Sequence, residues 1–163
     1  ELAPESGIND RIANYLFLKL VQAGVPFQLI SPGKCEVQVR ALKPKDAQNP
    51  YPDLTVLREE HLALTQKRLT IKLDMPPPQL VVEVVSPGTS ANEQDYQDKR
   101  DQYADLGIPE YWIIDRKTKL ILVLTLVQGD YVEAGQFGSD RRIVSPAFQS
   151  FQLTPDELFA ATA

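Results

Sequence analysis

Glu83 stands in Leu80-Val81-Val82-Glu83-Val84-Val85-Ser86, a run that is otherwise apolar up to its last residue. A run of this kind reads as a strand buried on both faces of a sheet. A carboxylate there needs a partner or a metal ion, because an unpaired buried charge is strongly destabilising. A second acid, Asp53, stands at the mouth of another short apolar segment, Tyr51-Pro52-Asp53-Leu54-Thr55-Val56-Leu57. Two strand-borne carboxylates in one small domain suit a hard cation such as Mg²⁺ or Mn²⁺, which takes oxygen ligands and activates water. The competing reading of Asp53 is a turn residue after Pro52.

A third group comes from residues 91–106, which have helical character and end at Gly107. At ~100° per residue, Tyr96, Lys99, Tyr103 and Leu106 fall within an arc of roughly 80°. Asp98 and Asp101 lie on the opposite side. Lys99 therefore either turns toward the sheet, where Asp53 and Glu83 are candidate partners, or snorkels past the tyrosines to solvent.

These groups require a frame. Residues 8–24 space Ile12, Tyr15, Leu16, Leu20 and Ala23 as one helical face, which Gly24 closes. Phe27 to Ser31 and Cys35 to Leu42 read as two strands joined by the turn Pro32-Gly33. The alternation of Cys35, Val37 and Val39 with Glu36, Gln38 and Arg40 predicts one wet face. Residues 43–52 form a proline-punctuated loop, Asp53 to Leu57 a short strand, and 59–66 a helical turn around Leu62 and Leu64. Pro87-Gly88-Thr89-Ser90 is a turn with Ser90 as helix cap. Glu110 to Asp115 and Leu120 to Val127 are strands, and Gly129-Asp130 turns into a further one at Tyr131-Val132. Ile143-Val144 is a short edge strand. Thr154-Pro155 opens a last helix. Helices interleaved with strands predict an α/β (α+β) fold: a central mixed sheet flanked by helices, as one domain over residues 1–163.

Composition bounds the function. The 163 residues are 43% hydrophobic and 24% charged, close to globular averages. No apolar stretch reaches the ~18 residues of a membrane span. A single cysteine, Cys35, cannot form an internal disulfide, which fits a cytoplasmic setting and a packed thiol. The single histidine, His61, has no neighbouring histidine or cysteine, which argues against zinc. A net charge of −5 argues against a surface broadly coated with phosphate-binding residues, and leaves a local rim of Arg40, Lys43, Lys45, Lys99 and Arg100 as the place to look for one.

The order Pro52-Asp53, Leu80 to Ser86-Pro87, Lys99 with Tyr103, and Gly107-Ile108-Pro109-Glu110-Tyr111-Trp112-Ile113-Ile114-Asp115 resembles a restriction endonuclease family abundant in cyanobacteria. That family lies within the PD-(D/E)XK nuclease-like superfamily, and the resemblance covers most of residues 50–135. It implies a restriction-endonuclease-like core in which Asp53 and Glu83 bind Mg²⁺ (or Mn²⁺), with the Val84 carbonyl as a third ligand. The superfamily's usual lysine, two residues after the acid, is Val85 here. The resemblance implies that Lys99 replaces it as the catalytic lysine, and that Ser86 and Tyr103 wall the site. Glu5 and Asn9, near the first helix, are further candidates. Asp115 reads as a turn residue, and Tyr111 and Trp112 as core.

The implied activity is metal-dependent endonucleolytic hydrolysis of DNA, by a homodimer in the manner of double-strand cutters. The alternatives are a non-enzymatic nucleic-acid-binding or oligomeric scaffold module on the same fold, or a hydrolase of small phosphates. Val85 in the lysine slot, the acidic net charge and the lack of a helix-turn-helix or zinc finger keep the scaffold reading open, while the survival of all three candidate site groups speaks for activity.

Overall fold

The computed structural model describes residues 6–46, 48–85 and 91–163, so Glu5, Ser86 and the turn expected at Pro87 to Ser90 lie outside the described residues. The central strand is β5 (Leu80–Val85), buried along nearly its whole length. It anchors a six-stranded sheet of order β1-β3-β5-β6-β7-β8. The other strands of that sheet are β1 (Ile30–Pro32), β3 (Leu54–Val56), β6 (Glu110–Asp115), β7 (Leu120–Val127) and β8 (Asp130–Phe137). Within that sheet, among the described residues, only β5 and β6 pair in parallel, and the long helix α3 (Ala91–Leu106) makes the crossover between them. Gly107, at φ +88°, ends α3 in a left-handed conformation that a side chain would strain. The fold is thus the mixed sheet flanked by helices that the element pattern predicts.

Register assigns the faces. Leu54, Val82, Trp112 and Val123 are paired in a row, as are Thr55, Val81, Tyr111 and Leu124. Neighbouring rows point to opposite sides of the sheet. On one side Trp112 meets Phe151 of the C-terminal segment, with ring centroids 5.2 Å apart. On the other, Tyr111 meets Tyr103 of α3 edge-on at 5.2 Å. The first helix, α1 (Ser6–Gln22), is tied to the last, α4 (Pro155–Ala161), where Lys19 and Tyr15 reach Glu157 at 2.7 and 2.9 Å. Thr154 caps α4 by accepting from the Glu157 N–H, as its sequence predicts.

Several expectations fail locally. Phe27–Leu29 is a 3-10 turn rather than strand, and β1 does not pair with the next strand, β2 (Glu36–Val37). Proline at 32 has no N–H to donate, so β1 stops there. Instead β2 pairs in parallel with β4 (Thr70–Ile71) in a separate two-stranded sheet. Its expected wet face is half wrong, because Glu36 is buried between Thr70 and Arg68. In α2 (Glu59–Leu64) the buried side chain is His61, while Leu62 and Leu64 are exposed. His61 Nδ1 accepts the Arg58 N–H at 2.8 Å and Nε2 lies 2.6 Å from the Pro76 carbonyl, so both ring nitrogens fix loops. Ile143-Val144 is not a strand; Ile143 N–H donates to Leu153 across a loop. No helix among the described residues is long and apolar enough to cross a membrane.

Candidate active site

Strand β3 runs antiparallel to β5, with Leu54 opposite Val82. Extending that register by one residue puts Asp53 opposite Glu83. Asp53 lies just beyond the last ladder pair, and its side chain continues the ladder: Oδ2 accepts the Val84 N–H at 2.7 Å. Pro52, buried behind it, fixes the chain's entry. Burial pushes the Asp53 carboxyl above its ordinary pKa. The Val84 N–H and the Lys99 charge pull it down by less, and nearby Asp10 of α1 pushes it further up.

Glu83 is 4% exposed. Its two oxygens are held differently. Tyr103 Oη donates to Oε2 at 2.6 Å, while Lys99 Nζ stands 3.7 Å from Oε1, at ion-pair range but too far for a good hydrogen bond. Lys99 and Tyr103 are four residues apart on α3, one turn of the same face. The helical arc thus turns Lys99 inward, with 24% of its side chain exposed. Burial first, and the Glu83 charge second, raise the Tyr103 hydroxyl well above its ordinary pKa, so it stays a donor. Val85 occupies the slot two residues after Glu83, and the cation arrives from the helix instead.

The remaining sequence candidates divide. Asn9 Oδ1 accepts from Arg116 at 3.2 Å, and Arg116 N–H donates to Val85, which brings the start of α1 to the carboxyl end of β5. Asp115 accepts the Lys117 and Thr118 N–H groups at 2.9 and 3.2 Å, the turn role expected of it. Ser86 and Glu5 lie outside the described residues. Trp112 is core, and its Nε1 donates to Glu110 at 2.7 Å. The envisaged basic rim is met by acids of α3: Arg40 pairs with Asp105 and Lys43 with Asp98. Sequence reasoning missed the Glu83–Tyr103 clamp as a bond, the reach of Asp10 toward Asp53, and two further buried acids, Glu36 and Glu110. An acid opening an apolar strand was the available signal for Glu110.

Among the described residues no cluster of three or more histidines, cysteines, aspartates and glutamates is placed to hold a metal. A hard cation held by one or two carboxylates keeps its own waters and needs no such cluster. Asp53 Oδ2 is taken by the Val84 N–H, and Glu83 Oε1 lies 3.7 Å from Lys99 Nζ.

The model of the Uma2 family, described as “Putative restriction endonuclease”, matches residues 1–156. The chain belongs to this family. Among solved structures it is similar to “a putative nuclease belonging to DUF820” from Anabaena variabilis. The TM-score is 0.68 at 15% identity, over 96% of this chain and 82% of that one. At that identity the likeness establishes the fold. No curated protein matches. Family membership and fold together support a nuclease function.

Proposed function

We propose that the chain is a metal-dependent DNA endonuclease whose centre is the Asp53–Glu83–Lys99 cluster. The observation that carries this reading is the convergence of two acids from neighbouring strands and one helix-borne lysine at the carboxyl end of β5. Asp53 and Glu83, with the Val84 carbonyl, hold Mg²⁺ or Mn²⁺. When bound, such an ion supplies a hydroxide near neutral pH and neutralises charge on the phosphate. Lys99 carries the positive charge next to the reacting phosphate, where it stabilises the charge that develops or takes the proton of the attacking water. Tyr103 positions Glu83 by donating to one of its oxygens. The partner is DNA, the working form a homodimer and the setting the cytoplasm, as one domain over residues 1–163.

The test is cleavage of supercoiled plasmid and single-stranded DNA by purified protein with Mg²⁺ or Mn²⁺, and with chelator. Cleavage that needs the metal and disappears in Glu83→Gln supports the reading. Absence of cleavage with every substrate and both metals overturns it in favour of the scaffold module.

A further inference from the structure

We infer that the outer face of the β2–β4 ribbon reads base edges in the major groove of duplex DNA; this rests on the nuclease reading and names how its substrate is recognised. The register pairs Glu36 with Thr70 and Val37 with Ile71. The Gln38 N–H donates to the Ile71 carbonyl and closes the Val37–Ile71 pair, with Gln38 and Lys72 the next residue of each chain. Because side chains alternate, Cys35, Val37, Val39 and Ile71 fall on the core side, and all are buried. Glu36, Gln38, Thr70 and Lys72 fall on the other, and with Arg68 and Asn49 they line an open cleft of about 270 Å³.

The chemistry of this face is mixed in a way that selects its ligand. A site for phosphate alone would be cationic throughout, and a carboxylate at 7% exposure would oppose it. Here Thr70 Oγ1 and Arg68 donate to Glu36 Oε1, at 2.7 and 3.1 Å. Both of those bonds fall on Oε1, so Oε2 is left as an oriented acceptor. Lys72 Nζ and the Asn49 amide make no hydrogen bond or ion pair among the described residues, and Gln38 uses only its Oε1, on the Leu73 N–H. An acid acceptor, two amides and two cations are the side chains that pair with cytosine amino, adenine and guanine edges. A two-stranded ribbon is also an element that the major groove admits.

The ribbon is tied to the acids. Val37 N–H donates to the Pro50 carbonyl at 2.9 Å. Asp53 follows three residues later, at most about 11 Å of chain. Ribbon and cluster therefore fall within one turn of B-DNA, about 34 Å.

The experiment uses the full chain. Binding of the Glu83→Gln protein to a randomised-duplex library is measured by selection and sequencing, and its affinity for one selected duplex by anisotropy across salt. The same is done with Lys72→Ala and Asn49→Ala added singly; both residues are exposed and both variants are checked for an unchanged melting temperature. The expected result is a sequence preference that each substitution relaxes at one or two positions, with a roughly 5- to 100-fold loss on the selected duplex and a much smaller loss on mismatched ones. An equal loss on every sequence, with the salt slope reduced by about one, would mean phosphate contact and overturn base reading. Unchanged binding and preference would overturn the ribbon as a DNA surface, as would binding with no preference at all. If wild type cleaves plasmid while these substitutions change nothing, the ribbon fails and the nuclease reading stands. Relaxed preference without cleavage by wild type leaves the ribbon standing and removes the nuclease.

Discussion

The sheet's one parallel pair carries two buried glutamates, and they are held in opposite ways. Glu110, at the start of β6, is 1% exposed. Its carboxylate is closed by three neutral donors: Trp112 Nε1, the Ser145 hydroxyl and the Ala147 N–H. Glu83, toward the end of β5, is nearly as buried, but its partners include the Tyr103 hydroxyl at 2.6 Å and a charged lysine, Lys99, at 3.7 Å, with a second carboxylate, Asp53, at the mouth of the adjoining strand. Fixed neutral donors make a carboxylate part of the frame, here clasping the C-terminal segment to the sheet. A carboxylate beside another acid, with a lysine for a counter-charge, is the arrangement the proposed cation site requires. Their positions agree with that division, since ligands of open α/β sheets gather at the carboxyl ends of parallel strands.

The sharpest break in the comparison comes from removing charge without shape. Glu83→Gln is expected to abolish metal-dependent cleavage while the fold persists, since the amide still accepts from Tyr103; residual cleavage near wild type would place the chemistry elsewhere. Lys99→Ala is expected to reduce the cleavage rate by about 10²–10⁴-fold. Metal affinity should hold or rise, because a competing cation has gone. Measuring rate and affinity together distinguishes a ligand from a charge-stabilising group.

Glu110→Ala should do the reverse. It strands buried donors and costs about 3 kcal/mol of stability, or a melting temperature lower by roughly 6–12 °C. Cleavage per folded molecule should stay unchanged when assayed well below that transition.

The smallest effect concerns Asp53. Its folded-state pKa lies above the unfolded one, chiefly through burial. Its contribution to stability is therefore complete below the unfolded value and is lost as pH rises through the folded one. Asp53→Asn, which keeps an acceptor for the Val84 N–H, should melt higher than wild type in chelator at neutral pH. The gap should close as pH falls below the ordinary aspartate range. A gap independent of pH would show that the carboxylate's charge is not its source.

The same contrast marks what the sequence made legible. Glu83 stood out because it breaks an apolar run, and Lys99 because its helical arc is shared with tyrosines; both signals are periodicities internal to one element. Long strands such as β5, β6 and β7 were legible for the same reason. What a single element cannot carry was missed. The closure of Glu110 depends on Ser145, thirty-five residues away. The burial of Glu36 depends on a partner strand thirty-four residues on, and the failed hairpin between β1 and β2 reflects which edges were free to pair. The short segments at Phe27 and Ile143 were misread because two or three residues of apolar alternation do not distinguish a strand from a packed loop.

In the proposed function the Asp53–Glu83 pair, and not the closed Glu110, is the divalent-cation site. Calorimetric titration of Mn²⁺ into the purified protein, Glu83→Gln and Glu110→Gln tests it directly. Saturable binding is expected for wild type and for folded Glu110→Gln, and its loss in Glu83→Gln. Equal binding to wild type and Glu83→Gln, or no saturable binding to wild type, would contradict it.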